Sequence, residues 1–123
     1  MRYEDAPDLR QQALDIIRRL GMSHVQLENV SFFRSYGTSS RRTIARCHTI
    51  GKLIQKALGR GAIYVLEFIH ERFDNLDAED KTKTIIHELM HIPKAFGGGF
   101  KHHDYVCERE IEKLYNLYKH HSY

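Results

Sequence analysis

The 123-residue chain has room for one hydrophobic core, so residues 1–123 read as a single domain. With 41% hydrophobic and 28% charged residues and a net charge of +3, it is neither a disordered tail nor a membrane protein: no apolar run approaches the roughly 18 residues of a span. Two cysteines, Cys47 and Cys107, make no Cys-x-x-Cys pair and are too few for a disulfide framework, so both read as small buried thiols. Met1 to Pro7 holds acidic Glu4 and Asp5 and no apolar leader, from which a cytoplasmic protein is expected.

Leu9, Ala13, Ile16, Ile17 and Leu20 recur at helical spacing, which predicts a helix from Asp8 to Leu20, opened by Pro7 and stopped by Gly21. Val25, Leu27, Val30, Phe32 and Phe33 suggest a strand from His24 to about Arg34, with Arg42 to Thr49 returning as its partner after the turn-like segment 35–40. Leu53, Ile54, Ala57 and Leu58 fit one or two helical turns between Gly51 and Gly59. Ala62 to His70, rich in β-branched and aromatic residues, is the clearest strand and reads either as a substrate-side edge or as an ordinary core strand. Asp77 can cap the next helix, whose first turn holds Glu79 and Asp80 and which ends near Ile92 before Pro93. Gly97-Gly98-Gly99 is a backbone joint. A last helix is expected from about Asp104 to Tyr118, with Cys107, Ile111, Leu114 and Tyr118 as its apolar stripe.

Charge is unevenly placed. No acidic residue lies between Glu28 and Glu67, while Arg34, Arg41, Arg42, Arg46, Lys52, Lys56 and Arg60 supply seven positive charges. This basic region, 34–60, either pairs with the acidic remainder or makes nucleic acid a candidate partner.

The helix from Asp77 to Ile92 carries His87-Glu88-Leu89-Met90-His91. Two imidazoles four residues apart on a helix sit on one side and can converge on one ion, while Ile85 and Leu89 lie opposite, towards a core. Zinc in a catalytic site takes three protein ligands and keeps a position for water. Glu88, rotated by about 100°, reaches that metal-activated water without ligating, and so reads as general base for hydrolysis of a peptide bond. The spacing alone is a modest signal. With nine histidines, a scrambled chain would hold His-Glu-x-x-His in about 5% of cases, so support for the motif must come from the amphipathic helix and from the residues beyond His91. The triple glycine lets the chain turn back after Pro93, bringing His103 towards the ion as third ligand, with His102, Glu108 and Glu112 as alternatives. Tyr105 is a further candidate, as a donor to an oxyanion.

The run His87-Glu88-Leu89-Met90-His91-Ile92-Pro93, then Phe96, Gly98-Gly99 and His103, resembles a family of archaeal and viral (phage-type) metallopeptidases. Upstream, the likeness extends through Tyr64-Val65-Leu66-Glu67, Glu71-Arg72-Phe73 and Leu76. The resemblance implies a minimal zincin-like α+β fold, Zn²⁺ held by His87, His91 and His103, and Glu88 as base. The expected architecture is a small, mainly antiparallel sheet of three or four strands with the motif helix packed on it and helices at both ends. The expected substrate is a peptide or unfolded protein. The alternative is a zinc-binding or nucleic-acid-associated protein without peptidase activity.

Overall fold

The computed structural model describes residues 1–100 and 106–121. Strand β1 (Arg2–Asp5) leads into helix α1 (Pro7–Leu20), where Pro7 opens the first turn and Gly21 closes the last in the left-handed conformation at φ 65°. A 3₁₀ turn (Leu27–Asn29) precedes β2 (Val30–Tyr36), so the expected strand starts six residues later than its apolar pattern suggests. The chain continues through β3 (Ala45–Thr49), α2 (Lys52–Leu58), β4 (Tyr64–Ile69), the short α3 (His70–Phe73), α4 (Ala78–Met90) and α5 (Glu108–His120). The last helix opens at Glu108, after Cys107 at its N-cap, and not at Asp104.

The sheet is four-stranded in the order β1-β2-β4-β3, with β2 and β4 parallel and the two outer pairs antiparallel. This α+β arrangement matches the expected class. Two details differ. β2 and β3 are not partners, because β4 inserts between them and pairs Phe32 with Leu66 on one side and Cys47 with Leu66 on the other. For the same reason β4 is a central strand and β3 forms an edge of the sheet.

Alternation sets the layers. Tyr64, Leu66 and Phe68 of β4 and Val30 and Phe32 of β2 point to one face and are at most 3% exposed. There they join Leu9, Ala13 and Ile16 of α1, Ile85, Ile86 and Leu89 of α4 and Ile111 of α5 in one core cluster. The three long helices therefore cover one face, and α4 packs against α1, α5 and the edge strand β3. Arg34 ties the sheet to this layer: its guanidinium donates to Asp8 at the start of α1 and to Asp74 after α3, at 2.8 to 3.1 Å. That removes Arg34 from the basic surface, whereas Arg41, Arg42, Arg46, Lys52, Lys56 and Arg60 are exposed. Among the described residues no helix is long and apolar enough to cross a membrane.

Candidate metal centre and active site

Helix α4 is fixed at both ends. The Asp77 carboxylate accepts from the Asp80 amide at 2.8 Å, and His91 forms the C-cap, its amide bonding back to the Glu88 carbonyl. Between these ends Ile85, Ile86 and Leu89 are fully buried, which fixes the rotation of the helix. His87 and His91 consequently share the opposite, partly exposed side, with ring centroids 4.9 Å apart and planes tilted by 62°. Two imidazoles this close, on one rigid element, fit a shared ion.

Glu88 sits at the boundary between that side and the core, 5% exposed. Burial alone pushes its carboxyl up to about 7, and no hydrogen bond holds it among the described residues. It opens on a cleft of about 620 Å³. One wall is the approach to β3, Arg42 to Ala45; the floor is the α4 face from Asp80 through Thr84 to His87; Glu108, Ile111 and Glu112 of α5 close the far side. Cys47 on β3 is half-buried, and burial, with the neighbouring Glu88 charge adding to it, pushes its thiol up to about 12. In the metal-free protein the thiol is therefore neutral at physiological pH and a poor nucleophile.

Past His91 the chain turns through Ile92 and Pro93, and Phe96 adopts φ 48° with its ring edge-on to Tyr64 at 4.8 Å. Two polar side chains then grip the glycine joint. The Tyr64 hydroxyl donates to the Gly99 carbonyl at 2.8 Å and accepts from the Gly98 amide at 3.1 Å. The Gln55 amide donates to the carbonyls of Ile50 and Gly97 at 2.8 and 3.0 Å. Gly98 has φ 100°, and a Cβ there would lie 2.5 Å from Gln55 Nε2 and from the Ile50 carbonyl oxygen, so only glycine fits.

The family model described as "putative phage metallopeptidase" matches residues 1–120. The chain belongs to this phage metallopeptidase family. The match spans almost the whole chain, well beyond the segment 62–105 that carries the resemblance in sequence. No curated protein and no solved structure matches significantly. Membership in a metallopeptidase family implies a metal and peptide hydrolysis at that coarse level, without naming the metal or its ligands.

In this family member the expected site residues divide into three groups. His87, Glu88 and His91 come together as the spacing predicts. Glu108 and Glu112 line the same cleft, but Glu112 pairs with Lys83 at 2.7 Å. No group of three His, Cys, Asp or Glu side chains that could hold a metal forms among the described residues. His102, His103 and Tyr105 lie outside the described residues. Sequence reasoning missed Gln55 and Tyr64. Both act on backbone about 35 to 42 residues away, a pairing with no local signature.

Proposed function

We propose that this phage metallopeptidase family member is a zinc-dependent peptidase, with His87, His91 and His103 as ligands and Glu88 as general base. The observation that supports it most is the placement of Glu88: a buried carboxyl without a hydrogen-bond partner among the described residues, next to two imidazoles on one helix face, opening on a cleft. The donor set suits zinc, which favours imidazole nitrogen, and the third donor is assigned to the segment beyond the gripped glycine joint. When bound, zinc would polarise the scissile carbonyl and acidify a water.

Glu88 takes the proton from the attacking water and delivers it to the leaving amine. Burial raises this carboxyl above its ordinary value in the metal-free protein, which favours its accepting a proton. The substrate is an extended or unfolded polypeptide. The outer edge of β3, unpaired among the described residues, runs beside the cleft, and main-chain hydrogen bonds to that edge would hold such a chain across Glu88. The edge is β3; of the two readings open for β4 in sequence, edge or core strand, it is the core strand that holds. The reading places one catalytic domain in the cytoplasm.

Two measurements test it. Metal analysis of the purified protein should find one zinc per chain, lost in His91→Ala. Glu88→Gln should keep the zinc and lose about 10² to 10⁴ in turnover of unfolded protein substrates. Cleavage that persists unchanged in Glu88→Gln would sink the general-base assignment. A second reading, nucleic-acid association through 34–60, draws on the exposed Arg41, Arg42, Arg46, Lys52, Lys56 and Arg60, and predicts steeply salt-dependent binding that survives chelation.

A further inference from the structure

Helix α2 is inside out. Its sequence, Lys52-Leu53-Ile54-Gln55-Lys56-Ala57-Leu58, leads to the expectation that the leucines and isoleucine anchor it. Instead Gln55 is the buried residue, 7% exposed, and holds the helix to the body through the Ile50 and Gly97 carbonyls. Leu53, Ile54 and Leu58 face outwards at 80%, 48% and 61% exposure, and Phe100, beyond the glycine joint, adds a ring at 47%. Three exposed aliphatic side chains on one two-turn helix held inwards by an amide are more apolar surface than a solvent-facing helix needs, and exposed apolar surface of this kind marks an interaction site.

The setting defines the partner. Lys52, Lys56 and Arg60 are exposed on and just after this helix, and no acidic side chain occurs between Glu28 and Glu67 to offset them. A nucleic acid would use the cations but has little use for three aliphatic side chains. Binding to a lipid surface scales with the apolar area inserted, and the two turns of α2 offer only three aliphatic side chains for it. A polypeptide carrying acidic and aliphatic side chains uses both. Position adds to this: β3 passes from the cleft at Ala45 to Thr49 and continues through Ile50 and Gly51 directly into α2. A chain laid along the β3 edge therefore reaches α2 within roughly 23 Å, the span of about seven extended residues from Ala45 to Lys52.

We propose that the outward face of α2 is a docking surface for an acidic, aliphatic-rich polypeptide, which it captures at one end of the β3 edge. That this polypeptide is the substrate rests on the peptidase reading above; the docking itself does not. The test uses zinc-loaded Glu88→Gln protein and three labelled peptides of equal length, one of Glu and Leu, one of Lys and Leu, one of Glu and Ser, with binding followed by fluorescence anisotropy. The Glu/Leu peptide should bind at least about tenfold more tightly than either of the others, and weaken as salt is raised. Leu53→Ser with Leu58→Ser should remove about tenfold of that affinity with little change in melting temperature, since both side chains are mostly exposed. Lys56→Glu provides the same loss by charge, should the double variant fold poorly.

Equal affinity for the three peptides, preference for Lys/Leu, or α2 variants that bind like the parent would each overturn the docking surface. Binding to phosphatidylserine vesicles or to single-stranded DNA that is lost in the α2 variants, while Glu/Leu binding is not, would reassign the face to a lipid or nucleic acid and refute the proposal. Hydrolysis by the wild-type protein is scored separately. Docking as described with no cleavage of any peptide would leave the surface standing and remove the peptidase reading.

Discussion

Glu88→Gln in protein stripped of metal separates the cost of the buried carboxyl from its chemistry. The Glu88 carboxyl is 5% exposed, and burial raises its pKa from 4.5 to about 7. In the unfolded chain it titrates near the lower value. Between the two values the folded protein retains a proton that the unfolded chain releases, so stability falls as pH rises through this window. At 1.36 kcal/mol per unit, the loss above pH 7 amounts to about 3 kcal/mol. Glutamine has the shape of protonated Glu88 and never ionises. The variant should therefore lie within about 1 kcal/mol of wild type at pH 5 and be about 3 kcal/mol more stable at pH 8, roughly 10 °C in melting temperature. Urea unfolding at both pH values, with chelator present, measures the gap, and other titrating groups cancel in the difference. A gap of equal size at both pH values, or a variant less stable than wild type at pH 8, would show that burial does not govern this carboxyl. The expected sign also separates stability from function, since the same substitution that stabilises the metal-free protein should abolish turnover.

Two further perturbations probe the surroundings of the site. Gly98→Ala should cost at least about 1–3 kcal/mol by urea unfolding, because the backbone is at φ 100° and the added methyl meets Gln55 and the Ile50 carbonyl; a variant as stable as wild type would refute the grip on the glycine joint. Arg34→Met should cost about 1–3 kcal/mol at pH 6, discounted because Asp8 is 60% exposed at its side chain. The Arg34 hydrogen bond lowers the Asp8 pKa, and at Asp74 burial opposes but Arg34 and His70 outweigh it, so both stand below 3.8. Their contribution is present above pH 3.8 and lost as pH falls through the lower folded values, so the variant and wild type should converge in stability towards pH 2. Parallel curves down to that pH would contradict the pairing.

Local features of the chain were legible. Pro7, the spacing of Leu9, Ala13 and Ile16, and Gly21 specify α1 to within one residue, and Asp77 caps α4 as its position before Glu79 and Asp80 suggests. Strand pairing was not legible. A turn-rich segment between β2 and β3 reads as the turn of a hairpin, yet β2 pairs in parallel with β4, and a parallel pair needs a long crossover, here residues 37–63 with β3 and α2 inside it. No residue in either strand records that choice; it shows only in the core that Phe32 and Leu66 share with α1, α4 and α5. The same insertion turned the clearest strand of the sequence into the centre of the sheet, because a run buried on both flanks and a run with one free edge share the same apolar composition.

The site divides along the same line. His87, Glu88 and His91 were legible because four residues nearly complete a helical turn, so spacing alone puts the imidazoles together. That Glu88 would be buried, with Cys47 of β3 near it and Ile44 and Ile111 lining the same cleft, is a tertiary outcome that no spacing reports. The glycine joint shows how the two kinds of information combine. Three consecutive glycines announce a tight passage but not its cause. The structure shows that Gly98 yields its side-chain space to Gln55, whose amide then serves both the Ile50 and Gly97 carbonyls. Committing Gln55 inwards fixes the rotation of α2 and with it the outward turn of Leu53, Ile54 and Leu58. The passage leading out of the motif helix and the apolar face beside it are therefore one packing decision, made by a single amide that the hydrophobic pattern of the sequence would have placed in solvent.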